Sequence, residues 1–271
     1  MEAIDLTWVN AHVHARNLNG HKKSFGHVLV IAGSEGKAGA AILCARAALH
    51  NGCGMVTAMV PKEAVDILLS ESPELMYVTD KKIQELDLSV FDAIAIGPGL
   101  GVNDATHEIL NYLMLKYPGP MVIDADALTL IAKYHIPFKA NQVITPHPGE
   151  FARLQGFEYN ENIREKQAQD FVKNHVVNLV LKGAKTIVLA PSESLMINTT
   201  GNDGMATAGT GDVLTGMIAA LCAQGYTSFN AACIGVYLHG LAGDIALQHK
   251  SKASIVASDL INSLSEIRLI D

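Results

Sequence analysis

Short β-branched runs alternate with helical patterns along most of this chain, and this alternation restricts its fold more than any other feature. The strand-like runs cover 27–32, 55–60, 93–96, 121–124, 142–145, 178–181 and 186–189. The helical patterns cover about 37–51, a segment after Pro61, about 104–116, 205–224, 228–248 and a last stretch from 258. Buried strands separated by helices are typical of a mostly parallel sheet covered on both faces. We therefore predict a three-layer α/β/α fold, built as a single domain over 1–271 with 1–20 as a peripheral N-terminal segment.

Nearly all of these strands end in a turn rich in Gly, Pro or polar residues. The turns cover 33–34, 97–101, 124–126, 145–150 and 182–183. In an open parallel sheet, ligands bind at the carboxyl ends of the strands. We therefore expect these turns to meet on one rim of the sheet.

A glycine-rich run from Asn198 to Asp212 is the strongest indication of function. It contains four glycines, Gly201, Gly204, Gly209 and Gly211, and a helical pattern follows it at once. Small residues allow close approach of a ligand, and the free N–H groups of a helix N-terminus attract anions. The run therefore predicts a phosphate cradle, with a flexible glycine loop as the alternative.

Asp212 closes this run, where a carboxylate would repel a phosphate. Its presence indicates a group that orients or deprotonates a hydroxyl while a phosphoryl group is transferred. Because it lies at a helix N-terminus, we expect its pKa to be lowered rather than raised.

Weaker patterns leave alternatives open. Asp126 could bind Mg²⁺ with Asp124 or cap a helix, and the following helical residues favour the cap. His147 and Glu150 either contact a polar ligand or belong to a loop fixed by prolines, and without a third ligand they do not indicate zinc. His239, in an apolar helical stretch, is expected to be a satisfied core histidine.

Composition excludes several classes of function. The net charge is −7 and no basic block is present, so a nucleic-acid surface is not expected. No stretch of about 18 uninterrupted apolar residues and no signal peptide is present, which predicts a cytoplasmic protein without a membrane span. The four cysteines show no C-x-x-C spacing and are expected to be buried free thiols.

Several motifs together resemble one known family, over about residues 20–265. They are His27-Val-Leu-Val-Ile-Ala-Gly-Ser34, Gly36-Lys-Ala-Gly-Ala-Ala41, Ile96-Gly-Pro-Gly-Leu-Gly101, Val122-Ile-Asp-Ala-Asp-Ala-Leu128, Thr145-Pro-His-Pro-Gly-Glu150 and the run 198–216. In this order they resemble the ADP/ATP-dependent NAD(P)H-hydrate dehydratases of the ribokinase-like superfamily, in the form that lacks the epimerase domain. The resemblance implies a ribokinase-like fold and an enzyme that uses ADP or ATP as phosphoryl donor, together with Mg²⁺.

The implied substrate is the (6S)-hydrate of NADH or NADPH, and the implied reaction phosphorylates its C6 hydroxyl and then eliminates phosphate. Asp212 would be the catalytic residue. The expected substrate-binding residues are Ala40, Gly101, His147, Glu150 and Asp212. The expected nucleotide-binding residues are Lys182, Gly183, Ala184, Lys185, Thr186, Gly201, Gly204, Gly209, Thr210 and Gly211. The expected assembly is a homo-oligomer, a tetramer by resemblance, and no residue is assigned as a metal ligand.

Three positions depart from the family pattern. Asp203 stands where the family usually has Pro, Ala208 where it has Gly, and Lys23 where Gly is common. Two other functions use the same cradle: a kinase of a small alcohol such as hydroxymethylpyrimidine or thiazole, and a non-catalytic regulator that binds adenine nucleotide.

Overall fold

In the computed structural model, which describes residues 1–79 and 82–269, ten strands form one sheet. The strands are β1 (Glu2–Ile4), β2 (His27–Ile31), β3 (Met55–Met59), β4 (Met76–Val78), β5 (Ala93–Ile96), β6 (Met121–Ile123), β7 (Gln142–Ile144), β8 (Asn178–Leu181), β9 (Ile187–Leu189) and β10 (Met196–Asn198). Their order across the sheet is β1-β10-β9-β8-β7-β6-β5-β2-β3-β4. Only β9 runs antiparallel to its neighbours among these pairings, so the predicted mostly parallel sheet is confirmed.

The chain order reverses between β2 and β5, which are neighbours in the sheet. From β2 the chain builds outward through β3 and β4, whereas from β5 it builds in the opposite direction through β6, β7 and β8. Such a switch point opens a crevice beyond the carboxyl ends of the two central strands. From this topology we expect a ligand site between the turns that follow β2 and β5.

Helices cover both faces of the sheet. They are α1 (Leu6–His12), α2 (Ala38–His50), α3 (Val65–Glu71), α4 (Asp104–Lys116), α5 (Ala125–Tyr134), α6 (Pro148–Gln155), α7 (Arg164–His175), α8 (Thr210–Ala223), α9 (Ser228–His249) and α10 (Ala257–Ser263). One apolar core joins the sheet to α2, α8, α9 and α10, and the other joins it to α4, α5, α6 and α7. This arrangement confirms the predicted three-layer α/β/α fold.

The alternation of side chains along β2 shows how the sequence fills both cores. Val28 and Val30 belong to the core with α2 and α8, whereas Leu29 and Ile31 belong to the other core. Successive side chains of a strand point to opposite faces, so a strand covered on both sides must be apolar throughout. These four residues are at most 1% exposed.

The structure corrects one helix boundary and adds three strands. The predicted helix from Met205 begins only at Thr210, because Gly209 has a φ of 90° that no helix residue adopts. Strands β1, β4 and β10 were not predicted, because none of them is a continuous buried apolar run, whereas the predicted strands of the same length, β6, β7 and β9, are buried throughout. Within the N-terminal segment 1–20, Glu2–Ile4 pairs in parallel with β10 and forms one edge of the sheet.

Helix α9 is long and apolar enough to cross a membrane by length and composition alone, but 67% of its most apolar window is buried inside the fold. Burial of this kind is typical of the core helix of a globular protein. All four cysteines are free and buried, as predicted.

Candidate active site

The turns at the carboxyl ends of the parallel strands contact one another. Gly33 N donates to Pro98 O over 2.8 Å, which joins the turns after β2 and β5. Lys182 N donates to Pro146 O over 2.9 Å, which joins the turns after β7 and β8. The rim expected from the strand endings is therefore present.

The N-terminus of α8 lies on this rim, and Gly209 is its N-cap. A Cβ atom at Gly209 would lie 2.5 Å from Leu43 Cδ1, so both the backbone conformation and the space favour glycine. The hydroxyl of Thr210 donates to the carbonyl oxygens of Met205 and Thr207 and fixes the preceding loop to the helix. The loop and first turn of α8 therefore have the geometry of an anion site.

His239 supports this helix end from α9. Its Nε2 donates to Thr210 O over 2.8 Å. Burial lowers the pKa of His239 to about 4, so the ring is neutral near pH 7. The ring is hydrogen-bonded as expected, but His239 is only partly buried and lines the cavity described below.

A partly buried ion pair lies next to the first turn of α8. Asp124, which is 1% exposed, accepts from Lys182 Nζ over 2.8 Å and from Thr215 Oγ1 over 2.8 Å. Glu150 Oε2 lies 4.0 Å from the same Nζ. Burial acts to lower the pKa of Lys182, but the charges of Asp124 and Glu150 outweigh it and the pKa is raised. Lys182 is therefore a fixed cation.

Asp212 lies in the first turn of α8 with a raised pKa, contrary to the expectation from its helix position. Burial is the main cause, the charge of Asp124 adds to it, and Lys182 opposes it, so that the pKa reaches about 7. The desolvation of the carboxylate thus outweighs the helix dipole. A carboxyl group with a pKa near 7 is suited to accept a proton at neutral pH.

Asp126 does not cap α5, and that prediction is wrong. The helix begins at Ala125, two residues earlier than a cap at Asp126 implies, and its N-cap residue is Asp124. Asp126 Oδ2 instead accepts from Gly101 N over 2.8 Å and lies 3.4 Å from Lys37 Nζ. The residue therefore joins the turns after β2, β5 and β6.

His147 and Glu150 form a reciprocal cap at the start of α6. His147 Nδ1 accepts from the amides of Gly149 and Glu150, and Glu150 Oε2 accepts from His147 N over 2.8 Å. Pro148 is the first helical residue, where the missing N–H costs nothing. The loop is thus fixed, as one of the two predictions for His147 and Glu150 required. The half-exposed ring of His147 also faces the neighbouring cavity, so a ligand contact remains open to it.

A cavity of about 740 Å³ extends along the rim from the first turn of α8. Eight residues predicted from the sequence line it: His147, Lys182, Gly183, Ala184, Thr186, Gly201, Thr210 and Gly211. Seven predicted residues are not part of its lining: Ala40, Gly101, Glu150, Lys185, Gly204, Gly209 and Asp212. Ala40 lies in the first turn of α2 and Gly101 in the turn that follows β5, so both are at the switch point of the sheet.

Sequence reasoning missed several residues of this cavity. Its wall also includes Asn198, Thr200, Asn202, Met205, Leu214, Val236 and Gly240. Apolar side chains among them provide a surface for a flat, weakly polar group. Five of them lie inside or just after the run 198–212, whose glycines were the detectable signal, whereas α9 residues such as Val236 give no local signal.

The glycine-rich loop is tied to α9 by Asp244. Its two carboxylate oxygens accept from Gly201 N over 2.8 Å and from Asn202 Nδ2 over 2.9 Å. Of the departures from the family pattern, Asp203 pairs with Lys252 over 2.6 Å, so its charge on the cavity wall is compensated. Ala208 is exposed and is not part of the cavity lining, and nothing in the structure explains Lys23.

A sequence profile described as NAD(P)H-hydrate dehydratase matches residues 28–266 of the chain. The chain belongs to this family. It is 39% identical over 278 residues to the bifunctional NAD(P)H-hydrate repair enzyme Nnr of Moorella thermoacetica, an alignment that covers 96% of this chain and 52% of that protein. The chain therefore spans about half the length of the first curated dehydratase relatives that it matches.

Another member of the dehydratase family is of similar length. The ADP-dependent (S)-NAD(P)H-hydrate dehydratase of Bacillus subtilis is 33% identical over 270 residues, which covers 96% of each chain. A crystal structure of the ADP/ATP-dependent enzyme from Bacillus subtilis, co-crystallised with ATP and Mg²⁺, matches with a TM-score of 0.89 and 29% identity. That match covers 98% of this chain and 96% of the other, and it confirms the ribokinase-like fold that the dehydratase resemblance implied.

Proposed function

We propose that this protein removes water from the (6S)-hydrate of NADH or NADPH, with ADP or ATP as phosphoryl donor. Family membership supports the reaction class, and one structural observation supports its location. A Cβ atom at Gly211 would lie 3.4 Å from Lys182 Nζ, so a fixed cation and the free amides of α8 face one end of the cavity. Asp212, the proton acceptor of the proposal, is the next residue.

The chemistry follows from the leaving group. Hydroxide leaves poorly, whereas phosphate leaves readily. The C6 hydroxyl oxygen attacks the terminal phosphorus of the nucleotide, the P–O bond to the nucleotide breaks, and Asp212 accepts the hydroxyl proton. The C6–O bond then breaks, and its electrons leave with phosphate. The ring nitrogen donates its lone pair, and C5 loses a proton, which restores the dihydronicotinamide ring.

Different residues of the rim would bind the phosphoryl group, the nucleotide and the hydrate. Lys182 and the amides from Gly209 to Gly211 would stabilise charge on the transferred phosphoryl group. The 182–186 loop and the glycine-rich loop that carries Gly201 and Gly204 would hold the nucleotide. Ala40, Gly101 and His147, with Glu150 fixing the His147 loop, would hold the hydrate.

Mg²⁺ fits this site as an ion held chiefly by nucleotide phosphates. Among the residues that the structure describes, no group of three or more His, Cys, Asp or Glu side chains is placed to hold a metal ion. The charges of Asp124 and Asp126 help to raise the pKa of Asp212, and a Mg²⁺ ion held by the nucleotide phosphates near Asp212 would offset part of that repulsion. Bound Mg²⁺ would neutralise the phosphate charge during transfer.

Hydrated NADH, supplied with ADP or ATP and Mg²⁺, tests the proposal. We expect the absorbance of the reduced ring to return, with one phosphate released for each NADH formed. Formation of a stable phosphoester from a small alcohol would indicate a kinase instead. Nucleotide binding without any turnover would indicate a regulator.

The assembly and the compartment are parts of the proposal that rest on resemblance and composition. We expect a homo-oligomer, specifically a tetramer, and a cytoplasmic location. Sedimentation of the purified protein would test the assembly, and cell fractionation would test the compartment.

A further inference from the structure

We propose that Asp126 is a positioning residue for the hydrate, acting through Gly101 and Lys37. The inference rests on the proposed function, because it concerns the part of the rim where Ala40 and Gly101 would contact the substrate. It adds a residue that the sequence pattern indicated only as a helix cap or a metal ligand.

The backbone at Ala125 separates the two carboxylates of this turn. Ala125 has a φ of 49°, a left-handed conformation that is uncommon for a residue with a Cβ atom. On one side of it, Asp124 binds Lys182 and Thr215. On the other side, Asp126 binds Gly101. A strained residue at a ligand rim is one way in which a fold re-aims neighbouring side chains.

Gly101 is held at both of its backbone polar groups. Its N–H donates to Asp126 Oδ2 over 2.8 Å, and its carbonyl oxygen accepts from Thr106 Oγ1 over 3.0 Å. The first bond has a charged acceptor and is therefore stronger than a neutral one. Removal of the Asp126 carboxylate would leave the position of Gly101 fixed from one side only.

Asp126 also holds the turn that leads into α2. Its Oδ2 lies 3.4 Å from Lys37 Nζ, and Lys37 is the N-cap residue of α2. The carbonyl oxygen of Lys37 accepts from Ala40 N over 3.2 Å, so the position of Lys37 sets that of Ala40. One carboxylate oxygen thus fixes both turns of the switch point.

The two turns are packed closely enough for a small shift to matter. A Cβ atom at Gly99 would lie 3.0 Å from Ala40 Cβ and 3.1 Å from Lys37 Cβ. Ser34 Oγ donates to Gly99 O over 2.7 Å and ties the same turns on their other side. Loss of the Asp126 contacts would therefore loosen the residues proposed to contact the hydrate. It would leave the hydrogen bonds of Asp124 with Lys182 and Thr215 in place.

The test compares Asp126→Ala and Asp126→Asn with Asp104→Asn, an exposed acidic residue in the first turn of α4. We expect Asp126→Ala to raise KM for the hydrate by about 10-fold or more, as for a lost charge-assisted hydrogen bond, with KM for the nucleotide within about 2-fold of wild type. Asp126→Asn keeps an acceptor for Gly101 N but loses the charge near Lys37, so we expect a rise of about 3-fold. Asp104→Asn should match wild type.

A rise in KM for the hydrate alone indicates a positioning role, whereas a general structural defect would raise KM for the hydrate and for the nucleotide together. Asparagine is close in size to aspartate, so Asp126→Asn still tests the proposal if the alanine variant does not fold. An active wild type whose Asp126 variants change neither KM, or both equally, would overturn the role of Asp126 alone. A wild type that does not turn over the hydrate would overturn the proposed function and this inference together.

Discussion

Asp124 and Asp126 are separated by a single residue after the end of β6, yet they contact different parts of the rim in different surroundings. Asp124 is 1% exposed and pairs with Lys182, whose side chain is 21% exposed, whereas the Asp126 side chain is 23% exposed and meets a lysine that is 56% exposed. A desolvated ion pair cannot lose one partner without a large cost, but a solvated contact can. The side of the rim proposed to bind the nucleotide is therefore anchored in the core, whereas the side proposed to bind the hydrate is held by solvated contacts.

Substitution of Lys182 should give the largest effect. Lys182→Met would leave the carboxylate of Asp124 buried without its cation, which costs about 3–5 kcal/mol of unfolding free energy. We expect urea unfolding to show this loss and nucleotide binding to weaken strongly. The control is Lys166→Met on the exposed face of α7, outside the proposed nucleotide site, which should stay within about 0.5 kcal/mol of wild type.

The double variant Asp124→Asn/Lys182→Met sharpens the same test. With the buried charge removed, part of the lost stability should return. If the unfolding free energy of Lys182→Met lies within about 1 kcal/mol of that of wild type, the Asp124–Lys182 pair is not desolvated in solution. The contrast between Asp124 and Asp126 then disappears.

The pH dependence of stability probes Asp212, which lies beside Asp124. Because burial and the Asp124 charge raise its pKa from 3.8 to about 7, the folded state holds a proton that the unfolded state has lost between these values. Wild-type stability should therefore fall relative to Asp212→Asn as pH rises from about 4 to about 7, and the difference should then stay constant.

The expected difference in unfolding free energy is about 1–2 kcal/mol at pH 8, after allowance for partial solvent screening. Denaturant unfolding of both proteins without nucleotide or Mg²⁺, across this pH range, measures it. A difference independent of pH, or a variant less stable than wild type at pH 8, would show that Asp212 is not desolvated.

Substitution of Ala125, the residue between the two carboxylates, should have the smallest effect on stability, and glycine there should stabilise the protein. Since Ala125 has a positive φ, Ala125→Gly should relieve strain and raise the unfolding free energy by about 0.5–1 kcal/mol. The matched control is Ala132→Gly in the same helix, which should lower it by a similar amount. Destabilisation by both substitutions would mean that Ala125 is not strained.

The sequence was sufficient to predict the rim but not its internal contacts. Buried strands that end in Gly, Pro or polar residues identified the turns at 97–101, 124–126 and 145–150, because parallel strands bring their carboxyl ends together. The contact of Asp126 with Gly101, 25 residues away, depends on the conformation of Ala125 and has no local signal. A helix cap was the nearest local explanation, and it was wrong.

The electrostatics show the same limit. Position at a helix N-terminus is readable from the sequence and predicted a lowered pKa for Asp212. Burial of the carboxylate and its closeness to Asp124 come from the packing of α8 against β6, which raises the pKa instead. The start of α8 at Thr210 likewise follows from the backbone of Gly209 rather than from the hydrophobic pattern.

Turnover of NADH hydrate by Asp212→Asn, with ADP or ATP and Mg²⁺, tests the central claim that this carboxylate accepts the proton of the substrate hydroxyl. We expect the variant to fold, to bind nucleotide, and to lose about 10²-fold or more in kcat, as for removal of a general base. The control is Asp170→Asn on the exposed face of α7, which should keep wild-type turnover. Near-normal turnover by Asp212→Asn would contradict the account.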